Sequence, residues 1–269
     1  LYNYSDPAAY FEFTDPIPAG TDFVTVTGDV ITPIYDAPNN QVVYTGTLPL
    51  GAILDSYLVD DTSTTATAEW VEISETGTQI EFSDCDDDYF YPINLSFNFP
   101  FFGDPFNAVA VATNGTIYFE DAYLGLSNTP IPGPNSYGVY TFLAPFWDDL
   151  VVCSPGAVYY QEGGTAPNRY LVVQYNNIRR YGGTVPLTFE VIMYEDGTIK
   201  FLYQDVGTGY DAGGSATVGL QESTTNGVQY SYNAAVLADD LAILFTPTIL
   251  RIPSAVVTLT VRITDTVAA

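Results

Sequence analysis

Phe189-Glu-Val-Ile-Met-Tyr-Glu-Asp-Gly-Thr-Ile-Lys-Phe-Leu-Tyr203 places two runs of apolar and aromatic residues on either side of Asp196-Gly197. Val, Ile, Phe and Tyr suit a pleated, half-buried surface, and Asp-Gly between such runs is a strong hairpin signal. The same grammar recurs in Ala110-Val-Ala-Thr-Asn-Gly-Thr-Ile-Tyr-Phe119, which is expected to turn at Asn114-Gly115, where both residues tolerate positive φ. Further strands are predicted at 216–221, 228–232 and 241–245. From Trp70 to Thr246 the strand and turn signals return roughly every 8–12 residues, the spacing of a sandwich. No stretch sustains a helical period. The chain is therefore read as all-β, an antiparallel β-sandwich occupying 67–247.

Residues 1–66 read as a β-rich lead-in, with strand candidates at Tyr10–Phe13, Phe23–Thr27, Gln41–Thr45 and Ala52–Val59. A Thr/Ala-rich link, Asp61–Ala68, joins it to the sandwich. At the other end, residues 248–269 read as a Pro-bounded tether and a detached C-terminal strand. There Val257, Leu259, Val261 and Ile263 alternate with Thr258, Thr260, Arg262 and Thr264, the period of a strand buried on one side. Such a strand can complete its own sheet or be donated to a neighbouring molecule.

The chain has 269 residues, 47% of them hydrophobic, with 16 Phe and 22 Tyr, enough to bury a sizeable core. Its 32 acidic residues outweigh six basic ones, of which Lys200 is the single lysine. A net charge of −26 argues against nucleic acid and anionic membrane surfaces as partners. Only 14% of residues are charged, so the surface is largely uncharged and polar, as suits a protein outside the cell. No run is long enough to span a membrane. The chain opens at Leu1-Tyr-Asn-Tyr-Ser-Asp without a leader, as a mature secreted protein would. Cys85 and Cys153 are too few for a zinc site, and both sit in loop-like sequence. An extracellular setting favours a disulfide between them over two free thiols. Such a bridge would contribute about 4 kcal/mol through the long loop it closes.

The phrases Trp70–Thr78, Leu95–Gly103, Val109–Phe119, Ala144–Leu150, Val158–Gln161, Tyr170–Asn176, Tyr194–Phe201, Ala216–Glu222, Gln229–Asn233 and Ala242–Pro247 follow one another in an order that resembles the nidogen-like (NIDO-type) extracellular domains of secreted bacterial and archaeal surface proteins. The resemblance implies a sandwich-like module used in adhesion, matrices and cell surfaces. It implies no catalytic residues, and it leaves out the lead-in and the C-terminal strand.

Chemistry has little to work with. The chain has no His, which removes Ser-His and Cys-His nucleophiles and His metal ligands. Asp148-Asp149 is the best carboxylate pair, with a backbone-capping turn as its alternative. No enzyme activity and no cofactor are expected. If the disulfide forms, it would draw Asp84, Asp86, Asp87 and Asp88 toward Asp148 and Asp149, a candidate oxygen set for a structural Ca²⁺, although the spacing is not that of an EF-hand and short acidic runs are usually solvated loops. N-glycosylation sequons occur at Asn3, Asn94 and Asn114. Tyr137, Tyr140, Tyr159, Tyr160 and Tyr181 are candidates to stack on sugars, or simply to fill half-buried strand positions.

The expectation that follows is a secreted structural subunit of an extracellular filament or surface layer. Its partners would be identical subunits, joined by a terminal strand carrying Val257, Leu259, Val261 and Ile263, with Tyr10–Phe13 as the other candidate donor. The alternative is a monomeric adhesion or glycan-binding module of a larger secreted protein.

Overall fold

A computed structural model describes residues 9–19, 21–28, 32–48, 54–249 and 257–263. The chain forms two compact units, one spanning 54–248 and the other built from the segments on either side of it. The strands of the outer unit are β1 (Ala9–Pro16), β2 (Thr21–Gly28), β3 (Thr32–Asp36) and β4 (Gln41–Leu48). Strands β1, β4 and β3 make an antiparallel sheet in that order. The β3–β4 turn closes on Asn40, left-handed at φ 48°, a conformation that Asn accepts more readily than most residues. Its side chain takes a hydrogen bond from the Tyr35 hydroxyl at 2.9 Å. Val42 is buried, and Phe23 of β2 stacks on Tyr35 of β3 with centroids 4.1 Å apart.

The inner unit is a sandwich of two antiparallel sheets. Its strands are β5 (Leu54–Asp61), β6 (Thr78–Gln79), β7 (Tyr89–Phe101), β8 (Asp104–Ala112), β9 (Ile117–Tyr118), β10 (Phe142–Trp147), β11 (Leu150–Val151), β12 (Ala157–Gly163), β13 (Tyr170–Arg180), β14 (Leu187–Tyr194), β15 (Ile199–Asp205), β16 (Thr217–Gln221), β17 (Gly227–Tyr232) and β18 (Leu241–Ile249). One sheet runs β17-β16-β10-β9-β8-β7. The other runs β5-β18-β15-β14-β13-β12-β6, with β11 also paired to β13. Between them lies a core in which Phe99, Val111, Leu143 and Phe146 face Leu171, Val191, Phe201 and Phe245, all fully buried. At roughly 1.5–3 kcal/mol per buried side chain, this layer is the main driving force for the fold. Two hydroxyls bridge the layer: Tyr175 donates to the Ala112 carbonyl at 2.8 Å and Tyr203 to the Pro145 carbonyl at 2.6 Å.

Both outer faces are covered as well. Residues 62–77 cross the outside of the eight-stranded sheet, where Ile73 packs with Val172, Ile192, Leu202 and Ala242. Leu124, Ile131 and Val139 of the long β9–β10 connection cover Ala110, Tyr118, Phe142 and Trp147 on the outside of the six-stranded sheet. Strand β14 is therefore buried from Leu187 through Met193 without alternation. The Asp61–Ala68 stretch, expected as a link, belongs to this covering: the Thr62 amide bonds the Ala242 carbonyl at 3.1 Å.

The last strand, β19 (Val257–Ile263), pairs antiparallel with β2 of the same chain, from Val257 opposite Gly28 to Ile263 opposite Thr21. The boundaries expected at residues 66 and 247 thus shift. Strand β5, placed in the lead-in by its sequence, is an edge strand of the sandwich, and the C-terminal strand expected as detached joins the lead-in. The side chains of Val257, Leu259, Val261 and Ile263 lie outside the described ones, as do the side chains of 10–13.

Both expected hairpins form, with a different turn. At Asn114-Gly115 only the glycine has positive φ, +69°, and the Gly115 amide bonds the Ala112 carbonyl while Ala112 pairs with Thr116. The second hairpin repeats this at Gly197, φ +90°. Asn114 is thereby free to turn its side chain inward. A Cβ on Gly115 would lie 2.1 Å from the Phe146 carbonyl oxygen. Gly115→Ala is expected to destabilise the protein by about 3 kcal/mol or more, read as a lower urea midpoint.

Candidate functional site

The expected pairing of Cys85 with Cys153 is present: a disulfide joins the two loops across 68 residues of sequence. The Val152 amide bonds the Cys85 carbonyl at 2.8 Å beside it. Around this bond the acidic loop is tied down by its own backbone. The Asp88 carboxylate accepts the amides of Ser83 and Asp84, and the Asp84 carboxylate accepts that of Asp86. Burial acts to raise the Asp88 pKa, but backbone hydrogen bonds from Asp84, Tyr89 and Ser83 outweigh it and the pKa falls.

Asn114 is the hub of the corner. It is fully buried; its amide nitrogen donates to Asp87 at 2.8 Å and to the Tyr123 hydroxyl at 3.2 Å. Its carbonyl accepts the Leu150 amide at 3.0 Å. Thr113 next to it donates to the carbonyls of Asp86 and Asp88. Of the expected sequons, Asn114 is therefore consumed by the fold, Asn94 is exposed on β7, and Asn3 lies outside the described residues.

The two aspartates opposite differ in role. Asp148 is nearly buried and accepts hydrogen bonds from Arg180 Nε at 3.0 Å and Ser215 Oγ at 2.6 Å. Asp149 has no such cation to itself. Burial, then the charges of Asp86, Asp87 and Asp148, push its pKa up. Burial and the neighbouring Asp87 and Asp84 push Asp86 up too. The disulfide thus gathers charges of one sign, as the calcium expectation required. Among the described residues, however, no three or more His, Cys, Asp or Glu side chains converge as a metal-holding group. The oxygens of Asp84, Asp87 and Asp88 accept hydrogen bonds from the protein itself.

The tyrosines considered for sugar stacking divide. Tyr137, Tyr159 and Tyr160 pack against the hydrophobic clusters, whereas Tyr140 and Tyr181 are exposed.

A second polar group, missed in the sequence, sits on the outer face of the eight-stranded sheet. Glu190 is fully buried there; its carboxyl accepts the Val71 amide at 2.9 Å, and its second oxygen has no partner. Gln174 accepts the Ile73 amide at 2.9 Å. Burial, reinforced by Glu72, pushes Glu190 up to about 8, against the pull of Lys200 and the Val71 hydrogen bond. The signal in the sequence is a polar residue inside each strand run, which alternation reads as solvent-facing.

The inner unit is thus a two-sheet antiparallel β-sandwich covered on both outer faces, with two of its loops joined by a disulfide. The sequence model of the NIDO-related family matches residues 61–250, and the chain belongs to that family. Over 158 residues it is 31% identical to Alpha-tectorin of Gallus gallus, an alignment spanning 48% of this chain and 7% of that protein. No solved structure matches it. Among the described residues no helix is long and apolar enough to cross a membrane.

Two outcomes test this geometry. Replacing both Cys85 and Cys153 by Ala is expected to lower unfolding free energy by about 4 kcal/mol in guanidinium titrations. The second is a pH dependence. Glu190 binds a proton in the fold up to about pH 8, whereas its ordinary value is 4.5. Across that window the folded state holds a proton that the unfolded state has lost, so stability falls with rising pH, by at most about 1.4 kcal/mol per unit. Glu190→Gln should flatten that slope in unfolding midpoints measured from pH 5 to pH 9.

Proposed function

We propose that this chain is a non-enzymatic structural module of an extracellular protein. The observation that carries the reading is the double covering of the sandwich. With both sheet faces occupied by its own chain, the inner unit offers neighbours its sheet edges, loops and exposed tyrosines rather than an open apolar face. The disulfide, the acidic lysine-poor composition and the family membership support a location outside the cell. The setting in a bacterial or archaeal surface protein rests on the sequence phrases alone. A larger parent protein is supported by the small share of the tectorin relative that the match covers.

A finer reading is that copies join by strand exchange. In the single chain β19 pairs with β2, outside the sandwich, which is the monomer's arrangement; the exchange reading takes this same pairing between copies. A neighbour's β19 can make the same backbone hydrogen bonds on β2, so exchange replaces one pairing with an equivalent one. Exchange that passes from each copy to the next is heterologous and propagates into a filament. Val257, Leu259, Val261 and Ile263 would then be the donated apolar face. Negative-stain electron microscopy of the full chain should show filaments of constant axial repeat, lost when residues 254–269 are deleted. Dispersed particles at every concentration would remove the exchange reading and leave a monomeric adhesion module.

A further inference from the structure

Lys200, the single lysine of a chain of net charge −26, is 9% exposed, and among the described residues no carboxylate lies within ion-pair distance of it. Strand pairing sets it opposite Ile192 on β14 and Leu244 on β18, on the outer face of the eight-stranded sheet. The nearby Glu190 carboxyl accepts the Val71 amide and makes no ion pair with Lys200. The Lys200 ammonium is not among the fully buried polar atoms without a partner: it opens onto the cavity that the side chain lines, held there by the strand. Lys200 lines a cavity of about 310 Å³, whose other walls are Thr65, Ala66, Thr67, Tyr194, Asp196, Thr198 and Leu244. That volume is at the lower end of the range for small-molecule sites and suits one sugar ring or two.

We propose that this cavity binds a single carboxylate-bearing sugar, a hexuronic acid of a glycan; the net charge of −26 weighs against polyanionic surfaces, but less against one carboxylate seated on one ammonium. The carboxylate gives the Lys200 ammonium an ion-pair partner, a role in which a lysine acts as a compact point charge. The threonines offer hydroxyls that both donate and accept. Tyr194 offers an aromatic face to the ring. Asp196, exposed at the rim and already accepting the Thr198 amide at 2.9 Å, is an acceptor for sugar hydroxyls. It also disfavours a ligand that presents a bare carboxylate at the mouth, which selects for one whose charge reaches Lys200 while its hydroxyls face the rim.

Having one lysine makes the test direct. In protein labelled only at lysine with ¹³C and ¹⁵N, the side-chain Cε–H signal reports on this cavity alone. Titration with glucuronate at neutral pH should move that signal saturably at millimolar concentration, while glucose leaves it in place and acetate requires at least about tenfold more. In ligand-observed saturation-transfer experiments, Lys200→Met should abolish the glucuronate signal while keeping the wild-type unfolding midpoint. Asp196→Asn, which keeps the bond to Thr198, should make glucuronate and acetate less distinct. An unmoved lysine signal would overturn the proposal. So would glucuronate binding that survives Lys200→Met, equal responses to acetate and glucuronate, or tighter binding of a glutamate-rich peptide than of glucuronate.

Discussion

A sandwich sheet has two faces, and its partner sheet covers only one. In this chain the second face of each sheet is closed by a segment that forms no strand ladder with it, so the amides of that segment need partners from below. Carbonyl and carboxyl oxygens of side chains on the sheets provide them. Glu190 and Gln174 take the amides of Val71 and Ile73 on one side. Gln229 and Gln221 take those of Ile131 and Gly133 on the other. A buried amide without a partner costs about 1–3 kcal/mol, so these oxygens remove a cost that would otherwise oppose the apolar packing of the coverings. Indole and hydroxyl groups add to the hold: Trp147 donates to the Gly125 carbonyl and Thr217 to that of Thr129.

This arrangement explains which parts of the fold could be read in advance. The hairpins at Gly115 and Gly197 were legible because local composition signals each, and the Cys85–Cys153 bridge because two loop cysteines in a chain of extracellular character have each other to pair with. The coverings were not. Residues 62–77 have neither helical nor strand period, and Thr/Ala-rich sequence looks like a spacer until Ile73 is seen beneath it among Val172 and Leu202. Glu190 and Gln174 interrupt apolar runs, and alternation assigns such residues to water. Asn114 misled in another way: read as a turn residue, it is a buried hub, and Gly115 alone makes the turn. The pairing of β19 with β2 links opposite ends of the chain, a contact that no local pattern encodes.

The two polar centres illustrate opposite solutions to the same cost. At the disulfide corner, carboxylates of one sign lie close together, and backbone amides, Asn114 and Tyr123 absorb them. Under residues 62–77, a single carboxyl is kept neutral by burial, and a single lysine lines an open cavity. The first centre is largely met by its own hydrogen bonds, with Asp86 Oδ1 buried without one; the second opens onto a cavity.

The scarcity and placement of cations have a further effect. The inner unit holds four of the chain's six basic residues, Arg169, Arg179, Arg180 and Lys200, and none of them is fully exposed. Arg169 is clamped to Glu195, Arg180 to Asp148, and Lys200 is buried within a strand. A trypsin-like protease needs a basic side chain on a segment that can be drawn into its cleft, and such segments are normally exposed loop tips. Here the exposed loops are acidic or uncharged, while the basic residues lie on or beside strands that must first open. Digestion within the inner unit by enzymes of that specificity is thereby coupled to its unfolding, which would give the sandwich a long life among the hydrolases of an extracellular space.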